Sequence, residues 1–425
     1  MDEYDIFLYF KTIIPFILFR MKFSTFTFSA LFAISFLKNG SCAPSSPALP
    51  TQDAPYTDSI EKMKATIECP NGIGKGKKGA VLLVPGTTLN GKDSFEQGPY
   101  NQLLPKQGFD VCWVSPPNRQ MADSQVSGEY VAYAINYVAD RSLTKKVKVL
   151  GHSQGGGLSI PWATIFFPSA RKKVSSFVAE AGDFKGTTLL PYPACVIEKI
   201  ASGGQGCAPA FLQQERGSNF LKAQDHFLTS AIVPTTSIWT RTDEVVIPQF
   251  GPNPSSALPG AVWFPLQDYC SILELSDHLS IIANPAAYAI ALNAFNSPTG
   301  KADLSKFNPL TDCFNIANSA LDLNDIGATI RYFAGIGTTV IDSGGAYTQS
   351  EPPLKECMYL YKNNCVYKIL TLSFFSTLIT DVCKAGAATQ CGVPGPIPPA
   401  INLSDFVEAL IPEGTKVYSN SSFPL

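Results

Sequence analysis

Val147-Lys-Val-Leu-Gly-His-Ser-Gln-Gly155 decides how this chain is read. A short apolar strand over 147–150 runs straight into Gly151-His152-Ser153-Gln154-Gly155. A helical stretch follows from Gln154 to about Phe167, with a bend expected at Pro161 and a stop at Pro168. A G-x-S-x-G pentapeptide alone is a weak signal, because glycine and serine are common. Between a buried strand and a helix it gains a physical meaning. Glycine at both ends permits a strained strand-to-helix turn that lifts the Ser153 hydroxyl above a sheet. The helix N-terminus behind it favours negative charge developing there.

The flanking sequence repeats the strand-then-helix rhythm. Gly79-Ala-Val-Leu-Leu-Val ends at Pro85-Gly86, and Phe109-Asp-Val-Cys-Trp-Val ends at Pro116-Pro117. Val126, Tyr130, Ala134, Tyr137 and Val138 recur at helical spacing, which predicts an amphipathic helix over 125–140. Further strands are expected at Ser175–Ala181, Thr236–Thr240 and Val262–Leu266. Strands alternating with helices imply an α/β architecture, with a mostly parallel central sheet covered on both faces. Residues 185–232 read as loops and weak helices inserted over the C-terminal edge of that sheet. Residues 316–342 read as a helix, and the Cys-, Gly- and Pro-rich tail from 343 as loop-dominated and stapled.

A serine hydroxyl needs a base to act as a nucleophile at neutral pH. The chain has three histidines: His152, His226 and His278. His152 adjoins Ser153, so its side chain leaves the turn in another direction and packs beside the site. In the order serine, acid, histidine, Asp243 after a strand end precedes His278, whereas His226 comes too early. His278 is therefore the candidate base and Asp243 the candidate acid that orients it, with Glu244 as the alternative acid. Asp277 cannot easily face the ring of its neighbour His278. An oxyanion needs donors already in place. The backbone N–H of Gln154 is one, and Thr87, after the strand ending at Gly86, offers its N–H and its hydroxyl. Asp183 either faces the cleft or serves as a loop cap or ion-pair partner of Lys185.

The 425 residues are enough for one large α/β unit with appendages. Hydrophobic residues make up 45%, which excludes global disorder. Only 16% are charged and the formal net charge is −2, which argues against nucleic acid as a partner. Residues 1–43 read as a signal segment, with Met21 as its natural start, Phe23–Leu37 as its apolar part and small residues at Ser41 and Ala43. A retained membrane anchor is the alternative, and the run Ile369–Ile379 is too short to span. Residues 44–58 read as a linker or pro-segment, 59–342 as the catalytic domain and 343–425 as a C-terminal extension. Of eleven cysteines, ten lie beyond the expected cleavage point, without C-x-x-C spacing. They point to disulfides in an oxidising compartment and to secretion. Cys195 with Cys207 is expected as a short loop clasp. Sequons at Asn402 and Asn420 permit glycosylation.

Seven segments together resemble the fungal lipase B family of α/β-hydrolases: VLLVPGT (81–87), CWVSPP (112–117), GHSQGG (151–156), FFPSARKKV (166–174), GDFKGT (182–187), IVPTTSIWTRTDEVVIPQ (232–249) and SDH (276–278). They run in family order from about Cys69 to Cys357. The resemblance implies an α/β-hydrolase fold with a disulfide-stapled tail, and a triad of Ser153, Asp243 and His278. It implies an oxyanion hole of Thr87 and Gln154, and the pairs Cys69–Cys112 and Cys270–Cys313. Pairing of the other six cysteines is left open. The expected activity is that of a secreted serine ester hydrolase, foremost a triacylglycerol lipase working through an acyl-enzyme. No metal or organic cofactor is expected, and a monomer is the default. The rivals are a carboxylesterase, a cutin-like polyester hydrolase, or a non-catalytic secreted protein on the same fold. The family's best-known member has Trp where this chain has His152, so pocket shape and alcohol selectivity do not carry over. The insertion at 191–217 and the extension beyond about 392 also depart from the family.

Overall fold

The computed structural model describes residues 48–189, 194–272, 274–314, 347–355, 365–372 and 376–383. Seven strands form the main sheet: β1 (Ile67–Glu68), β2 (Ala80–Val84), β3 (Asp110–Val114), β4 (Val147–His152), β5 (Val174–Glu180), β6 (Thr235–Trp239) and β7 (Val262–Pro265). Their order is β1-β3-β2-β4-β5-β6-β7, with β1 antiparallel to β3 and every other pair parallel. Strands β2 and β3 are buried throughout, as continuous apolar runs require when both faces are covered.

Alternate residues of these strands enter two cores. Leu82, Val84 and Val149 meet helix α1 (Ser124–Arg141) through Val131, Ile135 and Val138, and helix α2 (Ile160–Phe166) through Trp162. Val81, Leu83 and Leu150 meet the opposite layer, which includes Tyr100, Phe264 and the Ile290 and Ala294 face of the helix Pro285–Asn296. The expected α/β class, parallel sheet and two-sided covering are all present. Strand and helix limits lie within one or two residues of those read from the sequence.

The segment after Ser153 differs from expectation. In place of one helix bent at Pro161, Gly155–Ser159 forms a single wide π-type turn and α2 then starts at Ile160. Pro161 sits in the first turn of α2, where its missing N–H costs nothing. The wide turn falls upstream, where the proline ring would otherwise press on the carbonyl four residues back. That carbonyl, on Gly157, accepts from Gln224 Nε2 at 2.9 Å. Gln224 lies on the helix Asn219–Phe227, inside the segment read as an insertion, together with the helix Ala194–Ala201.

Three disulfides join Cys69 to Cys112, Cys195 to Cys207 and Cys270 to Cys313, matching the two pairs implied by resemblance and the expected clasp. Within the tail read as loop-dominated, residues 365–372 and 376–383 pair as antiparallel strands, with Cys365 opposite Cys383. The described parts of the apolar run, 369–372 and 376–379, lie one on each strand, and their β-branched content favours extended backbone. The expected helix over 316–342, the signal segment 1–43, both sequons, Cys357 and Cys391 lie outside the described residues. Among the described residues no helix is long and apolar enough to cross a membrane.

Residues 48–57, within the stretch read as linker, lie against the domain. Ala54 is buried in the core, and Glu129 of α1 accepts from the Thr57 amide at 2.6 Å and its hydroxyl at 2.8 Å. The same carboxylate is ion-paired with Lys355.

Candidate active site

Ser153 follows the last residue of β4 and has φ of 53°, the left-handed region that non-glycine residues seldom occupy. Neighbours hold it there. Its amide donates to the Glu180 carbonyl on β5 at 2.9 Å, and its carbonyl accepts from the amides of Gly156 and Gly157 at 2.9 and 2.8 Å. A side chain at Gly155 would overlap the Pro85 carbonyl, so the turn closes only with glycine at that position.

Three residues read separately from the sequence meet above this turn. Ser153 Oγ lies 2.9 Å from His278 Nε2, and His278 Nδ1 lies 2.9 Å from Asp243 Oδ2. Asp243 Oδ1 accepts from the amides of Val245 and Val246 at 2.9 and 2.7 Å, which fixes the carboxylate. Ser153, Asp243 and His278 are 5%, 4% and 3% exposed, so water screens their interactions little.

Burial acts against charge on both partners, and the pair overcomes it. Burial opposes ionisation of Asp243. The charge and hydrogen bond of His278 and the two backbone amides nevertheless hold its carboxyl below the usual range. Burial likewise disfavours the His278 cation, yet Asp243 raises the imidazole above its ordinary value, and Glu244 and Asp183 add to this.

The neighbouring acids point in different directions. Glu244 Oε2 accepts from the backbone N–H of His278 at 3.2 Å and does not reach its ring. Asp277 caps the turn after itself, accepting from the amides of Leu279 and Ser280 at 3.0 and 2.7 Å. His226 lies on the helix Asn219–Phe227, edge-on to Phe227.

Thr87 and Gln154 are also brought together. Thr87 Oγ1 donates to Gln154 Oε1 at 2.6 Å, beside the nucleophile turn. Gln214 completes this cluster, its Nε2 donating to Gln154 Oε1 at 3.3 Å and to the Ala210 carbonyl at 3.0 Å. No motif announces Gln214; it reaches the site from the inserted segment.

Asp183 is fully buried, and neither carboxyl oxygen has a hydrogen-bond partner. Burial pushes it up to about 7. Lys185 is not its partner, and donates instead to Asn253 Oδ1 at 2.6 Å and the Pro254 carbonyl at 3.1 Å. His152 does pack beside the site. Its ring is buried, and its centroid lies 4.9 Å from that of His278.

The sheet order, with a strained serine turn at the C-terminal end of a central parallel strand, defines an α/β-hydrolase. Similarity narrows the class. Lipase B of Pseudozyma antarctica is 33% identical over 265 residues, which span 61% of this chain and 74% of that protein. The crystal structure of Aspergillus fumigatus lipase B superposes with a TM-score of 0.64 at 30% identity, covering 75% of each chain. No family model matches. The chain belongs to the lipase B family, and is a carboxylic-ester hydrolase.

Proposed function

We propose that the protein is a secreted serine ester hydrolase that acts foremost on triacylglycerols. The observation that carries this reading is the unbroken relay from Ser153 Oγ through His278 to Asp243, at 2.9 Å for each link. Ser153 attacks the ester carbonyl while His278 Nε2 takes its proton. The tetrahedral oxyanion is held by the N–H of Gln154 and by Thr87. Asp243 keeps the imidazole in the required tautomer and stabilises its cation. Collapse expels the alcohol, which receives the proton from His278, and leaves an acyl group on Ser153. Water, deprotonated by His278, then releases the acid and restores the serine. An alcohol that replaces water gives transesterification. The catalytic unit is residues 59–342, the chain works as a monomer, and no metal or cofactor takes part.

An apolar, interfacial substrate is supported by the loop leading to His278, where Ile272 and Leu275 are 85% and 76% exposed. Secretion is supported by three disulfides and the apolar N-terminal segment. Hydrolysis of emulsified triolein and of soluble butyrate esters, each with Ser153→Ala as control, tests the proposal. Triolein hydrolysis lost in the variant is expected. Activity on butyrate alone makes the protein a carboxylesterase, and activity on neither by folded, oxidised protein overturns the reading.

A further inference from the structure

His152 occupies a position that the triad does not explain. Its Nε2 lies 2.8 Å from the backbone carbonyl oxygen of His278. A carbonyl only accepts, so Nε2 carries the hydrogen and Nδ1 is the bare nitrogen. Nδ1 is buried without a hydrogen-bond partner. It faces Gly86, where a Cβ would lie 3.1 Å from Nδ1 and 3.0 Å from the Ser153 Cβ. The ring is thus wedged between the end of β2 and the loop that carries His278. Burial pushes His152 down to about 3, so it stays neutral and offers this one hydrogen. Among the described residues the hydrogen bond of its ring is therefore the one from Nε2 to the His278 carbonyl.

We infer that His152 is a positioning residue for the catalytic base: its Nε2–H fixes the carbonyl of His278, and with it the direction in which that imidazole points. The inference rests on the triad reading above. It is reinforced from the other side of the same residue, where Glu244 Oε2 accepts from the His278 N–H at 3.2 Å. The residue before the nucleophile and the residue after the acid each grip the backbone of the base. The backbone of His278 is therefore held at both ends by side chains covalently adjacent to its two partners. The preceding loop is exposed at Leu275 and is anchored at Ser276, whose carbonyl accepts from the Thr240 and Thr242 hydroxyls at 2.7 Å each, so the two grips on His278 continue a hydrogen-bonded run into the base itself.

The test uses the full chain and a soluble butyrate ester, comparing His152→Leu, which removes the donor, with His152→Gln, whose amide nitrogen reaches the same carbonyl. The leucine variant is expected to lose about tenfold or more in kcat, as misaligned catalytic groups do. Its KM should stay within about twofold, since the interaction orients the base and does not bind substrate. Glutamine should recover most of the loss. An unchanged kcat in His152→Leu overturns the inference, and so does an equal loss in both variants, which would mark a packing role. If His152→Leu fails to fold, His152→Asn replaces it. Its amide is too short for the carbonyl, so activity equal to that of the glutamine variant overturns the inference. Full activity in Ser153→Ala would instead overturn the triad reading, a separate result.

Discussion

Tyr100 donates its phenolic hydrogen to the carboxyl of Glu180, and the backbone carbonyl of that same Glu180 accepts the amide of Ser153. One residue thus links a buried acid to the peptide that Ser153 stands on. Burial pushes Glu180 up to about 8, against the opposing effect of the Tyr100 hydrogen bond, so the carboxyl is protonated at neutral pH. The ordinary value is 4.5, so between the two the folded chain binds the extra proton. The stability from this site is complete below the lower value and is lost as pH rises through the upper one. Glu180→Gln keeps the acceptor and cannot ionise. Its stability relative to the natural chain should rise by on the order of 2–4 kcal/mol between about pH 5 and about pH 8. Urea unfolding at the two pH values measures this, and a pH-independent difference would refute it.

Catalysis should show the opposite sensitivity. His278 must be neutral to accept the serine proton, and its imidazole is held above the ordinary 6.5 by Asp243, with Glu244 and Asp183 contributing. The acidic limb of kcat/KM should therefore lie above that value, with rate rising as pH passes it. Glu244→Gln keeps an acceptor for the His278 N–H but removes a negative charge, so the limb should move to lower pH. A limb that stays in place would show that Glu244 acts on the backbone alone.

Thr87→Val separates the hydroxyl of this residue from its amide. To serve the oxyanion the Thr87 hydroxyl must turn its one hydrogen away from Gln154 Oε1; loss of one oxyanion donor typically costs about a hundredfold in kcat, and retention of the backbone N–H should keep the loss nearer tenfold. KM should change little. A loss confined to KM would place Thr87 in substrate binding and leave the oxyanion to other donors.

The Cys270–Cys313 disulfide closes a loop that includes His278. Replacing both cysteines by alanine should cost roughly 2–5 kcal/mol, as native disulfides of secreted proteins do. Thermal unfolding and residual activity, followed together, should decline in parallel. Activity lost at temperatures where the fold persists would instead assign the bridge to the geometry of the histidine loop.

The strands and the serine turn were legible because apolar runs ending in Pro-Gly or Gly-x-Ser carry their own geometry. His278 and Asp243 were singled out by scarcity and chain order, and the fold brings their side chains to 2.9 Å from each other. What the sequence hides is direction. Asp243 and Glu244 are adjacent carboxylates, and only the folded loop turns one to the ring and the other to the backbone. Gln214 and the Tyr100–Glu180 pair depend on contacts between distant segments, for which no spacing rule exists. The π-type turn before α2 arises from Pro161 acting on a carbonyl upstream, while the residue itself fits an ordinary helix start. The strand pair 365–372 and 376–383 was not singled out because the Cys and Gly content around it outweighed its β-branched residues.

Glu129 takes its hydrogen bonds from Thr57 and its counterion from Lys355. During synthesis that cation leaves the ribosome long after α1 has been made. Until it arrives, α1 presents a carboxylate that closing the layer would bury without its cation, an unfavourable step. That flank of α1 is therefore closed by two segments far apart in the sequence, one near residue 57 and one near residue 355.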